Sequence, residues 1–317
     1  MRKAISIIMI LCMLLFPILS AQAEPDRADL QRRIVFVEDE NDWEFYVLTD
    51  EGTVFANDTG YKLHPEIKEW KNLIAFQAET DIAVGLTKDG FVLVSVSDPE
   101  LAYIIDQVSQ WHDIEQIAVG YQLVYGLNTV NQIQYAGQIF SNQKAELETS
   151  DSWGHIKYIT ANFFHLFVIT DNSHVFSTMK EDFSALDHIT GIVSDGLDTF
   201  FLKDDGTCVM YTDWEEGVGT FHIPDEKDIL QITFLHNGYT AKLTKNHEVI
   251  YPAVISPVYI PLTSFTDPSV VAISGYAWVD NEGAIHMDQG FFGLENVELP
   301  RIIKSMPSVE NAQNQVE

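Results

Sequence analysis

Trp153-Gly154-His155-Ile156-Lys157-Tyr158-Ile159 runs into Phe163-Phe164-His165-Leu166-Phe167-Val168-Ile169, then Asp171-Asn172-Ser173, then His174-Val175-Phe176. An apolar pair three residues apart leads into a second apolar run, turn chemistry and a short strand. The same succession occurs seven times in the 317 residues. Its apolar pairs are Ile34/Val37, Leu73/Phe76, Ile114/Ile117, Ile156/Ile159, Ile189/Ile192, Ile229/Ile232 and Val270/Ile273. Their first members are 39, 41, 42, 33, 40 and 41 residues apart. A period of about 40 residues built on strands is the pattern of a propeller.

Each pair is followed by a β-rich run, such as Phe45–Leu48, Ile82–Leu86, Phe167–Ile169 and Phe200–Leu202. The turns that follow are Glu51-Gly52, Asp89-Gly90, Val130-Asn131, Asn172-Ser173, Asp205-Gly206, Asn246-His247 and Glu282-Gly283. Gly, Asn and Asp tolerate the positive φ of a two-residue hairpin turn. A short strand then leaves each turn, as in Thr53–Phe55 and Phe91–Leu93. One hairpin cannot hide its own apolar face, whereas seven stacked about an axis can, with only short edges left over. The expected fold is therefore all-β: one seven-bladed propeller over residues 24–304. The segments between hairpins, among them 95–109, 141–152 and 214–225, are expected to supply outer strands and surface loops.

Residues 1–23 read as an export signal. Arg2 and Lys3 precede an apolar stretch from Ala4 to Ser20, and Ala21-Gln22-Ala23 has the form of a cleavage site. An uncleaved anchor is the competing reading, because the stretch is about long enough to span a bilayer. Residues 305–317 read as a disordered tail. Glu298–Ile303 resembles another apolar-pair start with no hairpin behind it. Either that stretch or residues 24–33 is expected to close the ring by strand exchange.

Without Arg2 and Lys3 the chain keeps 16 Lys and Arg against 47 Asp and Glu, a charge of −31. Such a surface repels phosphate backbones and anionic membranes, so nucleic acid is not an expected partner. Cys208 is the one cysteine beyond the signal segment, so no internal disulfide forms.

The pattern resembles the RCC1-like repeats of seven-bladed β-propellers. Gly85-Leu86-Thr87-Lys88-Asp89-Gly90-Phe91-Val92 matches the family's strand, turn and strand. Asn162 to Thr170 matches its His-bearing strand entry, through His165. Val47–Val54 and Leu202–Thr207 match again, and Trp70, Trp111 and Trp153 stand three residues before an apolar position. The resemblance covers roughly residues 33–288. The family's Gly-Gln-Leu-Gly element survives only as Ala136-Gly137-Gln138-Ile139. The resemblance implies the propeller fold. The eukaryotic family member acts on chromatin and a small GTPase, roles that an acidic exported chain does not fit. Secreted bacterial propellers of this type include a β-lactamase inhibitor that binds its enzyme through one face.

The loops joining the first two strands of each repeat should fall on one rim. They hold Trp43, Asp81, Tyr121, Phe164, Asp198, Tyr239 and Tyr276. Aromatic rings with polar neighbours suit a binding face, and the same rings could equally pack between blades. No catalytic motif, cofactor motif or close ligand pair is present among the 10 histidines. Glu215/Glu216 and Asp204/Asp205 are adjacent, so in a strand they point to opposite faces. Asp39-Glu40-Asn41-Asp42 lacks the alternating spacing of a calcium loop and reads as a solvated loop. The expected function is non-catalytic binding of an extracellular or cell-surface protein. Glycan binding by the same rim is one alternative, and a polysaccharide-processing enzyme with axial carboxylates is the other.

Overall fold

The computed structural model describes residues 27–39, 42–179, 183, 186–194, 198–212, 219–222, 227–235, 240–251, 264–289, 294–295 and 297–302. The signal segment, the tail, Tyr239 and the acidic loop at Trp214 lie outside the described residues.

Seven antiparallel sheets follow one another along the chain, each made of consecutive strands. Blade 1 is β1 (Ile34–Asp39), β2 (Asp42–Leu48) and β3 (Val54–Ala56). Blade 2 is β4 (Leu73–Glu79), β5 (Ile82–Thr87) and β6 (Val92–Val96). Blade 3 is β7 (Ile114–Gly120), β8 (Leu123–Asn128) and β9 (Ile133–Gly137). Blade 4 is β10 (Ile156–Ala161), β11 (Leu166–Thr170) and β12 (Val175–Ser177). Blades 5 and 6 have a fourth strand: β13 (Ile189–Ser194) to β16 (Gly219–His222), and β17 (Ile229–Phe234) to β20 (Phe265–Thr266). Blade 7 is β21 (Val270–Ser274), β22 (Ala277–Asp280) and β23 (Ile285–His286).

Side chains alternate across a strand, so a second strand with consecutive apolar residues feeds two interfaces. In β2, Tyr46 and Leu48 pack toward blade 2, while Phe45 and Val47 pack toward blade 7. In β14 (Asp198–Lys203), Phe201 faces blade 4 and Phe200 faces blade 6. The described core accordingly divides into seven clusters, one between each pair of neighbouring blades, including blade 7 with blade 1.

The i, i+3 spacing of the apolar pairs has a specific cause. In a regular strand those two positions point to opposite faces. In blades 2 to 7 a β-bulge falls between the first and third residues of the first strand, as at Leu73/Ala75 and Ile156/Tyr158. The extra residue brings both members of the pair to one side. Leu73 and Phe76 share one cluster, and so do Ile114 and Ile117. Blade 1 pairs without a shift. Its Ile34 joins the seam with blade 7, and its Val37 joins the seam with blade 2.

Polar side chains tie the first strands of neighbouring blades. Gln77 Oε1 accepts from Val119 N at 3.1 Å, Gln116 Oε1 from Ile159 N at 3.0 Å and Gln231 Oε1 from Ile273 N at 3.0 Å. Ser274 Oγ donates to Ile34 O at 2.9 Å and joins blade 7 to blade 1. Among the described residues the ring closes without strand exchange. A short helix, α1 (Arg27–Arg32), packs on β21 instead. Its Gln31 Nε2 donates to Ile232 O at 2.7 Å, and Arg32 lies over the Tyr158 ring at 5.1 Å. Contacts to blades 6, 7 and 4 place α1 across the centre of the ring. Arg33, 2 % exposed, is held by Asp29 and Asp50. Ile302 N donates to Gly283 O at 2.8 Å, the bond that Leu73 N makes to Gly52 O at 3.0 Å. Ile302 thus stands where another first strand would begin, buried with Leu30 and Ile34.

Three expectations are corrected. The turns are not two-residue turns. Gly52 N donates to Thr49 O, so Asp50 and Glu51 are the central residues and Gly52 follows them at φ +73°. The equivalent residue has positive φ in every blade, including Asn131, Ser173 and His247. The stretch Asp39 to Asp42, read as a loop, has its ends in the ladder: Asp39 pairs with Asp42, next to Glu38 with Trp43. Blades 1 to 3 are followed by helices rather than outer strands: α2 (Asp58–Leu63), α3 (Ala102–Val108) and α4 (Ser141–Leu147). In α3, Ile104 and Val108 are buried at helical spacing, and Pro99 begins the turn before it, capped by Asp98.

Leu30→Ala tests the closure. Leu30 is 2 % exposed at the seam of blades 7 and 1. Its truncation is expected to cost about 2–5 kcal/mol in urea unfolding.

Candidate functional site

The loops from first to second strand of blades 3 and 4 adjoin, with Gly120 against Asn162 O, and this junction carries aromatic rings. Tyr121 and Phe163 stack with centroids 4.4 Å apart at 17°, and Phe164 meets Phe163 edge-on at 5.0 Å. Tyr121 is 42 % exposed, Phe164 38 % and Phe140, just before α4, 57 %.

The backbone around these rings is held in place. Tyr121 N donates to Phe163 O at 2.9 Å, tying the blade 3 loop to the blade 4 loop. Asn162, 6 % exposed, accepts from Phe164 N at 2.9 Å and from His165 N at 2.6 Å. That Asx geometry fixes the tight turn carrying both phenylalanines. Gln143 of α4 is buried, accepts from Phe140 N at 3.0 Å and donates to Phe164 O. Gly137 N donates to Gln107 Oε1 at 2.9 Å, which links α3 to the same group. A Cβ on Gly137 would sit 2.2 Å from Gln122 O, so only glycine lets these segments meet. Tyr103, 41 % exposed, lies one helical turn before Gln107 on the same stripe of α3. Three exposed aromatics, Tyr121, Phe140 and Phe164, thus gather where blades 3 and 4 meet.

Neither a protein-family model nor a curated protein matches the sequence. Solved structures do. The CRINKLY WD40 ectodomain of the Arabidopsis thaliana receptor kinase ACR4 superposes with a TM-score of 0.53 over 78% of this chain and 90% of that one, at 11% identity. The ectodomain of the Physcomitrella patens receptor kinase CR4 gives 0.53 over 78% and 69%, also at 11% identity. The fold is that of a β-propeller. Prp20p from Saccharomyces cerevisiae is also similar, with a TM-score of 0.45 and 14% identity over 65% of this chain and 68% of that one.

The propeller separates the residues singled out from sequence. Tyr121 and Phe164 belong to the exposed cluster. Tyr276 does not: it is 6 % exposed, edge-on to Phe36 at 5.9 Å and to Trp43 at 5.3 Å. Trp43 is half-buried in β2, and its carbonyl accepts from Asn57 Nδ2 at 2.7 Å. Both rings pack the seam of blades 7 and 1. Asp81 is half-buried and accepts from Ser97 Oγ at 2.9 Å, clasping its own hairpin. Asp198 opens β14, and its carbonyl accepts from Ser194 Oγ at 2.8 Å. Phe140 was not singled out, because it stands just before the segment 141–152 read as outer strand or surface loop.

Two buried titratable groups were also missed. Burial pushes Glu79, at the loop end of β4, up to about 7, against a hydrogen bond from Thr80. Burial holds His64 down at about 4. His286 is not a ligand candidate: it stacks on Trp278 at 3.8 Å and bonds Asp280 Oδ2 at 2.8 Å. Among the described residues no three His, Cys, Asp or Glu side chains are grouped to hold a metal.

The two kinds of rim aromatic predict different costs. Tyr276→Ala is expected to destabilise by about 3–5 kcal/mol as a core truncation. Tyr121→Ala and Phe164→Ala are expected to stay within about 1 kcal/mol. Thermal or urea unfolding of the three variants makes the comparison.

Proposed function

We propose that this propeller is a non-catalytic, exported protein-binding module that engages its partner through the cluster Tyr121, Phe140 and Phe164. The observation that carries the reading is the grouping of three exposed aromatic side chains on backbone fixed by hydrogen bonds between blades 3 and 4. Exposed aromatic clusters of this kind mark interaction sites, and their large rigid rings lose little entropy on binding. A net charge of −29 favours a partner with basic residues around its apolar anchors. The two plant structures are receptor-kinase ectodomains, which supports use of this scaffold in recognition. Export rests on the reading of residues 1–23. No described helix is long and apolar enough to cross a membrane. One observation favours a second reading: the Tyr121 ring, stacked flat on Phe163, is also the platform that a sugar ring would use.

Affinity capture with the chain and with a Tyr121→Ala/Phe140→Ala/Phe164→Ala variant, applied to surface and medium fractions of the producing organism, tests the proposal. A captured protein should be lost by at least about 30-fold with the variant, as for a cluster of hot-spot residues. Capture of the same proteins by both, or of none, overturns it. A glycan array on which the folded variant alone loses binding supports the sugar reading instead.

A further inference from the structure

The seam between blades 1 and 2 holds a buried imidazole that the binding face does not use. His64 follows α2, and its backbone N–H donates to Gly60 O at 3.0 Å. Its ring is wholly buried. Across the seam Ser95 of β6 is 2 % exposed, and its Oγ donates to Glu66 Oε2 at 2.7 Å. That bond uses the one hydroxyl proton of Ser95. His64 Nδ1, 3.1 Å from the same Oγ, is therefore the donor of the second contact. The neutral ring then carries its hydrogen at Nδ1 and a lone pair at Nε2. Nε2 is sealed from water and has no hydrogen-bond partner among the described residues.

The polar groups around it come from four segments. Strand β2 contributes Glu44 and Tyr46, whose hydroxyl donates to Glu44 and whose ring centre is 6.4 Å from that of His64. The turn after α2 contributes Glu66, the β4–β5 loop contributes Asp81, and β6 contributes Ser95. Trp70 and Phe76 close the apolar side through Tyr46. Glu66 and Asp81 draw a proton toward the imidazole, but burial opposes it and outweighs them.

We infer that His64 makes the seam between blades 1 and 2 an acid-opened joint. A proton at Nε2 places a cation in a sealed pocket, and the α2 connector then leaves β6. The sign follows from the two states. In the unfolded chain the imidazole titrates at its ordinary 6.5, and in the folded chain at about 4. As pH falls the unfolded or opened form takes the proton first, so the seam has its full strength above 6.5 and weakens down to about 4. The separation of the two values corresponds to a limit of roughly 300-fold in the opening equilibrium. Glu79, held near 7, acts in the opposite direction and gains stability as pH falls. The test therefore reads the seam itself.

The full chain is titrated by NMR at the histidine Cε1–H signals. Hydrogen exchange of residues 58–70 and 92–96, corrected for intrinsic rate, is compared with that of residues 166–170 from pH 7 to 4.5. His64 should titrate near 4, and the seam amides should lose protection relative to β11 by at least tenfold over that range. His64→Gln, neutral throughout, should abolish the relative loss. Titration of His64 at 6 or above overturns the inference. So does seam protection that follows β11, or a Gln variant with the wild-type pH slope. If the variant does not fold, the wild-type titration and exchange decide alone.

Discussion

Every blade in this ring is apolar on both faces, and no blade can be stable without a neighbour on each side. The second strands express this most directly. Phe45 and Tyr46, or Phe200 and Phe201, are consecutive residues that fill two different seams. A sheet with that pattern standing alone would expose one full apolar face to water, at about 25 cal/mol for each Å². Closure is therefore a condition of folding, and the chain's two ends serve it. α1 and Ile302 both bury apolar side chains at the seam where the sequence begins and the repeats end.

The ring was legible in the sequence because its signals are local. The apolar pairs, the second strands and the seven turns each occupy a few residues and recur in order. The bulge was not legible as such. Its trace was: a spacing of three between apolar residues makes sense in a strand only if a residue is inserted between them. The segments after blades 1 to 3 escaped because Leu101, Ile104 and Val108 follow helical spacing over only two turns, between longer strand signals. Closure by strand exchange was a reasonable expectation from Glu298–Ile303, and Ile302 does occupy a repeat start, but α1 takes the space beside it.

The aromatic loops were legible by position and not by exposure. Tyr121 and Tyr276 both sit in the two-residue loop between the first two strands of their blades, Tyr121 first and Tyr276 second. What separates them is distant in sequence. Phe36 and Trp43 of blade 1 cover Tyr276, while Phe163 of blade 4 stacks on one side of Tyr121 and leaves the rest open. The fold repeats its backbone seven times, so an asymmetric surface must come from side chains and connectors. α3 and α4 supply it here, through Gln107 and Gln143, whose amides reach the loops of blades 3 and 4.

Blade 1, without the bulge, splits its apolar pair between two seams. Its contacts with blade 2 join residues about one repeat apart, whereas Ser274 reaches Ile34 across 240 residues. The entropy of closing a loop rises with its length, so neighbouring blades assemble along the chain before the two ends meet. The seam of blades 7 and 1 is then the last to close and the first to part. It belongs to the native side of the folding barrier, and changes there act on how long the ring stays shut more than on how fast it forms.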